Sequence, residues 1–211
     1  MNSIIQKWTD YIETKLMPLI RLENNDSLEG NMYSQHNQTK ASDLLMQKQK
    51  SIVELFTASV LFPENLSVLE IGFNAGFSSL LIMMCNPKIN LTAIDINNHK
   101  YTSLCYGQIK EDYPNINILY GSSTKLLPEL HKQSKTYDII HIDGGHTKDV
   151  AEQDIQNSIN LCKPKSLIIV DDTNMAHIDK LVDDLLVKTK KAYDMKNKMS
   201  GKYTHRILKV Y

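Results

Sequence analysis

Two short runs hold most of the chemistry available to this chain: Ile142-Asp143-Gly144-Gly145-His146 and Val170-Asp171-Asp172. Each acid follows an apolar stretch (139–140 and 167–170) and precedes polar or glycine residues. In an open parallel sheet the carboxyl ends of the strands line the ligand crevice, so Asp143, His146, Asp171 and Asp172 would meet there. An oxygen-rich cluster of this kind suits a hard divalent cation such as Mg²⁺. A cation beside a hydroxyl lowers its pKa and fixes its oxygen. His146, three residues beyond the first acid, adds a proton acceptor, neutral near pH 7 if its pKa stays at about 6.5. Blander roles compete: Asp143 or Asp172 as helix N-caps, His146 as a helix-start residue. Three carboxylates gathered without a cation would repel one another, which favours the metal.

A second constellation lies upstream. Val68-Leu69-Glu70-Ile71 reads as a strand, Gly72-Phe73-Asn74-Ala75-Gly76 as a turn, and Phe77-Ser78-Ser79 as a helix start. Glycines at 72 and 76 let backbone approach a ligand, and free N–H groups at a helix start favour an anion. The spacing is Gly-x-x-x-Gly, unlike the Gly-x-Gly-x-x-Gly of dinucleotide binders. Asp95 ends the next strand, where an acid can hold two ribose hydroxyls. Tyr120-Gly121-Ser122-Ser123-Thr124 ends the third with small polar residues that could border an adenine. Taken singly, the turn could be packing geometry, Asp95 a helix cap, and Ser123 or Thr124 another. Their occurrence at the ends of three successive strands points to ligand binding.

The elements that must position these residues alternate. Strands read at 67–71, 90–94, 116–120, 137–142 and 166–170, with helices at 77–84, 99–113, 124–131, 148–161 and 176–191 and a last strand at 204–210. This βαβ order predicts a parallel sheet covered on both faces. Ahead of it, Ile4, Ile5, Trp8, Tyr11, Ile12, Leu16 and Leu19 recur at helical spacing. Residues 21–39 are polar and read as a loop, and a second helix starts at Thr39 or Ser42 and runs to about Leu61, stopped by Pro63. The expected division is a helical extension or lid over 1–62, packed on a core domain over 63–211, with no linker between.

Composition narrows the class. Twenty-four basic and twenty-four acidic residues cancel, so no overall field draws nucleic acid or anionic lipid. Lys188, Lys190, Lys191, Lys196, Lys198, Lys202 and Arg206 read as an ordinary solvated face. Three widely spaced cysteines (Cys85, Cys105, Cys162) fit neither a disulfide framework nor a zinc site. With no signal pattern and no membrane-length apolar run, a cytoplasmic location is expected.

The chain resembles class I S-adenosylmethionine-dependent O-methyltransferases, of the metal-dependent kind related to catechol O-methyltransferase and macrocin-type sugar O-methyltransferases. The resemblance rests on Glu70 to Ser78, Asp95, Gly121 to Leu130, Asp143 to His146 and Asp171-Asp172. It implies a Rossmann-like, doubly wound, mostly parallel seven-stranded sheet with helices on both faces. It places Gly72, Phe73, Asn74 and Gly76 at the methionine part of the cofactor and Ser78 at its carboxylate. Asp95 would take the ribose, and Ser122 and Ser123 would lie near the adenine. Glu70 is a cofactor-side candidate, expected to order the glycine loop through backbone N–H groups. Asp143, Asp171 and Asp172 would hold Mg²⁺ or another divalent cation, with Asp143 and His146 the catalytic pair and Asp143 also bordering the cofactor.

Catechol-type enzymes resemble a lysine pattern where this chain has Asp-x-x-His, as the sugar enzymes do, so the expected acceptor is a small-molecule hydroxyl, with a sugar ahead of a catechol. Residues 32–36 with Tyr33 and 198–204 with Tyr203 are candidate acceptor walls. His141, inside a strand, is expected to be a satisfied core histidine, and His177 an exposed helix-start residue. Two other readings compete: a non-catalytic cofactor-binding module, and an NAD-dependent oxidoreductase that the glycine spacing disfavours. A homo-oligomer is compatible with all of them.

Overall fold

The computed structural model describes residues 2–22, 28, 46–57, 65–195 and 205–211. Seven strands form one sheet: β1 (Ser67–Ile71), β2 (Asn90–Asp95), β3 (Ile116–Tyr120), β4 (Tyr137–Ile142), β5 (Cys162–Val170), β6 (Ala192–Asp194) and β7 (Arg206–Val210). Their spatial order is β3-β2-β1-β4-β5-β7-β6. The first five run parallel, and β7 pairs antiparallel with both β5 and β6. The chain reverses direction across the sheet between β1 and β4, the switch point where ligands bind in such folds.

Register decides what meets there. Ile71 pairs with Ile94 on one side and Ile142 on the other, and Ile142 pairs with Val170. The residues that follow, Gly72, Asp95, Asp143 and Asp171, therefore emerge side by side from four neighbouring strands about 4.8 Å apart.

Both faces are covered. Helices α4 (Phe77–Cys85) and α5 (Lys100–Asp112) cover one face with α1 (Asn2–Tyr11), α2 (Met17–Leu22) and α3 (Met46–Thr57); α6 (Ser123–Lys132), α7 (Lys148–Ile159) and α8 (Ala176–Val182) cover the other. Ile5, Trp8, Ile12 and Leu16 form one buried stripe, and the Trp8 Nε1–H donates to the Phe77 carbonyl oxygen at 2.7 Å. That bond pins the N-terminal helix to the start of the helix after the glycine turn. Between α1 and α2, Ile12–Leu16 widens into a π turn. Pro18 explains it, since proline has no N–H to return to the preceding turn.

Sequence and structure differ at three places. The 176–191 helix is α8 followed by a π turn, Asp183–Val187. β6 has three residues, too few to carry an alternating pattern, so it went unread. Arg206 is no part of a solvated face. It is buried, with Nη1 2.9 Å from Asp179 Oδ1 and 2.8 Å from Asp183 Oδ1, and Nε donating to Asp194 at 3.0 Å. No helix among the described residues is long and apolar enough to cross a membrane.

Candidate active site

The glycine turn and the acidic loop are one piece of structure. Gly72 has φ +93°, and a Cβ there would lie 1.9 Å from the Asp143 carbonyl oxygen, so only glycine fits. The Gly72 N–H donates to the Ile94 carbonyl oxygen at 2.8 Å and the Asp143 N–H to that of Ile71 at 2.9 Å, which lock the end of β1 to β2 on one side and to β4 on the other. Gly76, also left-handed at φ +76°, caps α4 against the Phe73 ring and Ile109. The Leu80 N–H returns to the Gly76 carbonyl oxygen, and the α4 first turn that carries Ser78 ahead of it is of the kind that binds anions.

Asp95 accepts from the Phe73 N–H at 3.0 Å and the Asn74 N–H at 2.7 Å through Oδ2, and from the Asn97 N–H at 2.7 Å through Oδ1. It therefore shapes the glycine loop itself: both lone pairs of Oδ2 are taken, and Oδ1 keeps one for a hydroxyl. Asn74 Oδ1 accepts from the Tyr101 hydroxyl at 2.7 Å. Ser122, rather than Ser123 or Thr124, is the N-cap residue of α6, and its hydroxyl lies 2.8 Å from that of Thr124. Ser123 opens the helix.

Glu70 does not act through loop amides. It is fully buried, accepts from the Ser79 hydroxyl, and lies 3.0 Å from His141 Nδ1. Burial works most strongly against a charged His141, but the Glu70 hydrogen bond and the charges of Glu70, Asp143 and Asp171 together outweigh it and raise the pKa. This buried set ties β1, α4 and β4 together under the site.

Above it the acids form two overlapping groups. His141, Asp143 and Asp171 each offer one ligand atom, all within 4.8 Å of one another, and so do Asp143, His146 and Asp172. Asp143 belongs to both; Asp171 and Asp172 fall in different groups. Burial, then the neighbouring Asp171, push the Asp143 carboxyl up to about 7. Asp172, left-handed at φ +54°, holds His146 Nε2 at 2.7 Å. That bond raises the His146 pKa, so the imidazole is a stronger base than its free value implied. Asp171 Oδ1 accepts the Asp172 N–H at 2.7 Å. The chemistry of this donor set, clustered oxygens with imidazole at the rim, fits a hard divalent cation. A cleft beside it has Ala151, Ile155 and Ile178 in its wall.

Four further residues take part that the sequence did not assign to the site. Lys48 of α3 forms an ion pair with Asp171 Oδ2. Burial opposes its charge, yet Asp171, Asp143 and Asp172 together raise its pKa. Ser51, one turn along, lies 2.9 Å from His205 Nε2. Burial lowers His205 to about 4, so it is neutral. His177 reaches across from α8 to the His146 carbonyl oxygen at 2.8 Å and steadies that loop. In sequence, Lys48 sits in Met-Gln-Lys-Gln-Lys, which reads as a solvated helix face. Residues 32–36 and 198–204, including Tyr33 and Tyr203, lie outside the described residues.

Residues 69–173 match a family model described as a methyltransferase domain, and that interval runs from the glycine turn through both acidic loops. Over that interval the chain carries a methyltransferase domain. The methyltransferase resembles an O-methyltransferase from Bacillus cereus, solved in complex with SAH, at a TM-score of 0.68 and 14% identity, over 98% of this chain and 99% of that one. It also resembles TomG, an O-methyltransferase from Streptomyces achromogenes solved with SAM (TM-score 0.62, 15% identity, 93% and 98% covered). Cofactor-bound Rv0187 from MTB gives 0.63 at 15% identity over 98% and 95%. At these identities the likeness establishes the fold. No curated protein sequence matches the methyltransferase.

Proposed function

We propose that this methyltransferase acts on a hydroxyl of a small molecule, a sugar ahead of a catechol, with Asp143, Asp171 and Asp172 holding Mg²⁺ or a similar divalent cation. The observation that carries the reading is the contact of the two loops: Gly72 on the donor side abuts the Asp143 backbone on the acceptor side, so a methyl group and an activated oxygen would be neighbours. The glycine loop, the α4 first turn with Ser78, Asp95, and Ser122 and Ser123 would bind S-adenosylmethionine. Residues 1–62 would form the helical cover on the 63–211 domain.

When bound, the cation would stabilise the alkoxide and orient its oxygen. Asp172 fixes the imidazole through Nε2, which leaves Nδ1 to take the hydroxyl proton. The cofactor, when bound, would supply a sulfonium methyl whose carbon–sulfur bond breaks as the acceptor oxygen bonds to it; a neutral thioether leaving group needs no general acid, so the chain's own part would be the base at His146. Positioning supplies much of the acceleration.

The test pairs binding with turnover. Asp143→Ala and His146→Ala should each lower methyl transfer to a polyol or sugar panel by at least about 100-fold while S-adenosylhomocysteine affinity by calorimetry changes little. EDTA should suppress wild-type turnover and Mg²⁺ restore it. Full activity in either variant would refute the site.

A further inference from the structure

The cation site proposed above already has a positive charge in it, and the charge belongs to the chain. Lys48 reaches Asp171 Oδ2 from helix α3, outside the methyltransferase core segment, and its side chain is 16% exposed against 4% for Asp171. An ion pair this enclosed is poorly screened by water or salt. The other Asp171 oxygen is occupied by the Asp172 N–H, so Oδ2 is the oxygen through which this acid would face an incoming ion. The ammonium also stands close enough to Asp143 and Asp172 for both to raise its pKa, which keeps it charged where burial alone would discharge it.

Helix α3 is held to the same end of the sheet by a second polar contact, Ser51 with His205 at the start of β7. Its apolar side, Ile52, Val53, Leu55 and Phe56, lies in the core beside α4. Lys48 is therefore not a free surface arm that happens to swing in. It is delivered by a docked helix.

We propose that Lys48 is an internal competitor for the divalent cation: the ammonium holds the acidic cage while the metal is absent, and the cation takes Asp171 as Lys48 withdraws. This rests on the metal reading above and adds to it an affinity lowered by the chain's own ammonium. Two like charges cannot share the one enclosed Asp171 oxygen, so occupancy by either excludes the other. By linkage, a cation that displaces Lys48 must also loosen the Lys48 turn of α3, and a ligand that tightens α3 must weaken the cation.

The experiment uses the full chain with S-adenosylhomocysteine present and Mn²⁺ as the probe, followed by calorimetry and by the electron paramagnetic resonance of the free ion. Lys48→Met should bind Mn²⁺ at least tenfold more tightly than the wild type, and Lys48→Arg, which keeps the charge, should stay within a few fold of it. In the wild type, saturating Mn²⁺ should speed hydrogen exchange in the 46–51 peptide, a readout that needs no variant to fold. Equal or weaker Mn²⁺ binding by a folded Lys48→Met, or unaltered exchange in the wild type, overturns the competition while leaving the metal reading intact. Failure of wild type and Lys48→Met alike to bind Mn²⁺ overturns the metal reading and the competition with it.

Discussion

Gly72→Ala is the sharpest perturbation of the contact on which the site depends. The new Cβ would sit 1.9 Å from the Asp143 carbonyl oxygen, and the gap must open to at least 3.0 Å, so one loop moves by about 1.1 Å. Neither side can yield cheaply, because the obstacle is backbone. The left-handed φ of +93° costs an alanine about 1–2 kcal/mol. The movement also strains the Gly72-to-Ile94 and Asp143-to-Ile71 hydrogen bonds, at about 1 kcal/mol each. Together these come to roughly 3–4 kcal/mol, a fall in Tm of roughly 6–15 °C for a chain of this size. Displacing a catalytic loop by about 1 Å costs on the order of 100-fold in rate. Thermal melts and initial rates read these two effects separately, and S-adenosylhomocysteine calorimetry should show a weakened cofactor affinity beside them. Gly107→Ala is the control, since a Cβ there meets nothing within 4 Å and the helical position should gain about 0.5–1 kcal/mol. A Gly72→Ala protein with wild-type cofactor affinity and turnover would refute the claim that donor and acceptor loops are braced against each other.

Two further outcomes concern stability. Asp154 is fully enclosed below Gly144, and burial pushes its carboxyl from 3.8 up to about 6. Its folded pKa is thus raised, so its contribution is favourable below pH 3.8 and is lost as pH rises through about 6. Asp154→Asn should then be more stable than wild type by up to about 3 kcal/mol at pH 8 and converge with it near pH 4. Denaturant melts across that range check the sign, and a pH-independent difference would contradict it. Arg206→Met should cost about 3 kcal/mol by releasing Asp179, Asp183 and Asp194 from a buried guanidinium. The loss should appear as faster hydrogen exchange in α8 and β6, and unchanged exchange there would refute the clamp.

What could be read from the chain alone was whatever leaves a local mark. Apolar runs of strand length with glycines or acids at their ends located β1 to β5, and the glycines at 72 and 76 marked the turn after β1. The order of these motifs carried the resemblance to O-methyltransferases, and the methyltransferase-domain match over 69–173 agrees with it. Features carried by contacts distant in sequence left no such trace. The turn of Glu70 toward Ser79 and His141, the burial of Arg206 and the three-residue β6 depend on which elements the fold lays side by side. Lys48 is the clearest case: its neighbours in sequence mark it as a surface lysine, and only the docking of α3 over the sheet brings it to Asp171. Helical periodicity records which face of α3 is apolar, but it cannot record that one charge on the other side meets its counter-charge 123 residues later. That pairing exists because burial makes an uncompensated carboxylate costly, and the tertiary structure chose which cation would sit beside it.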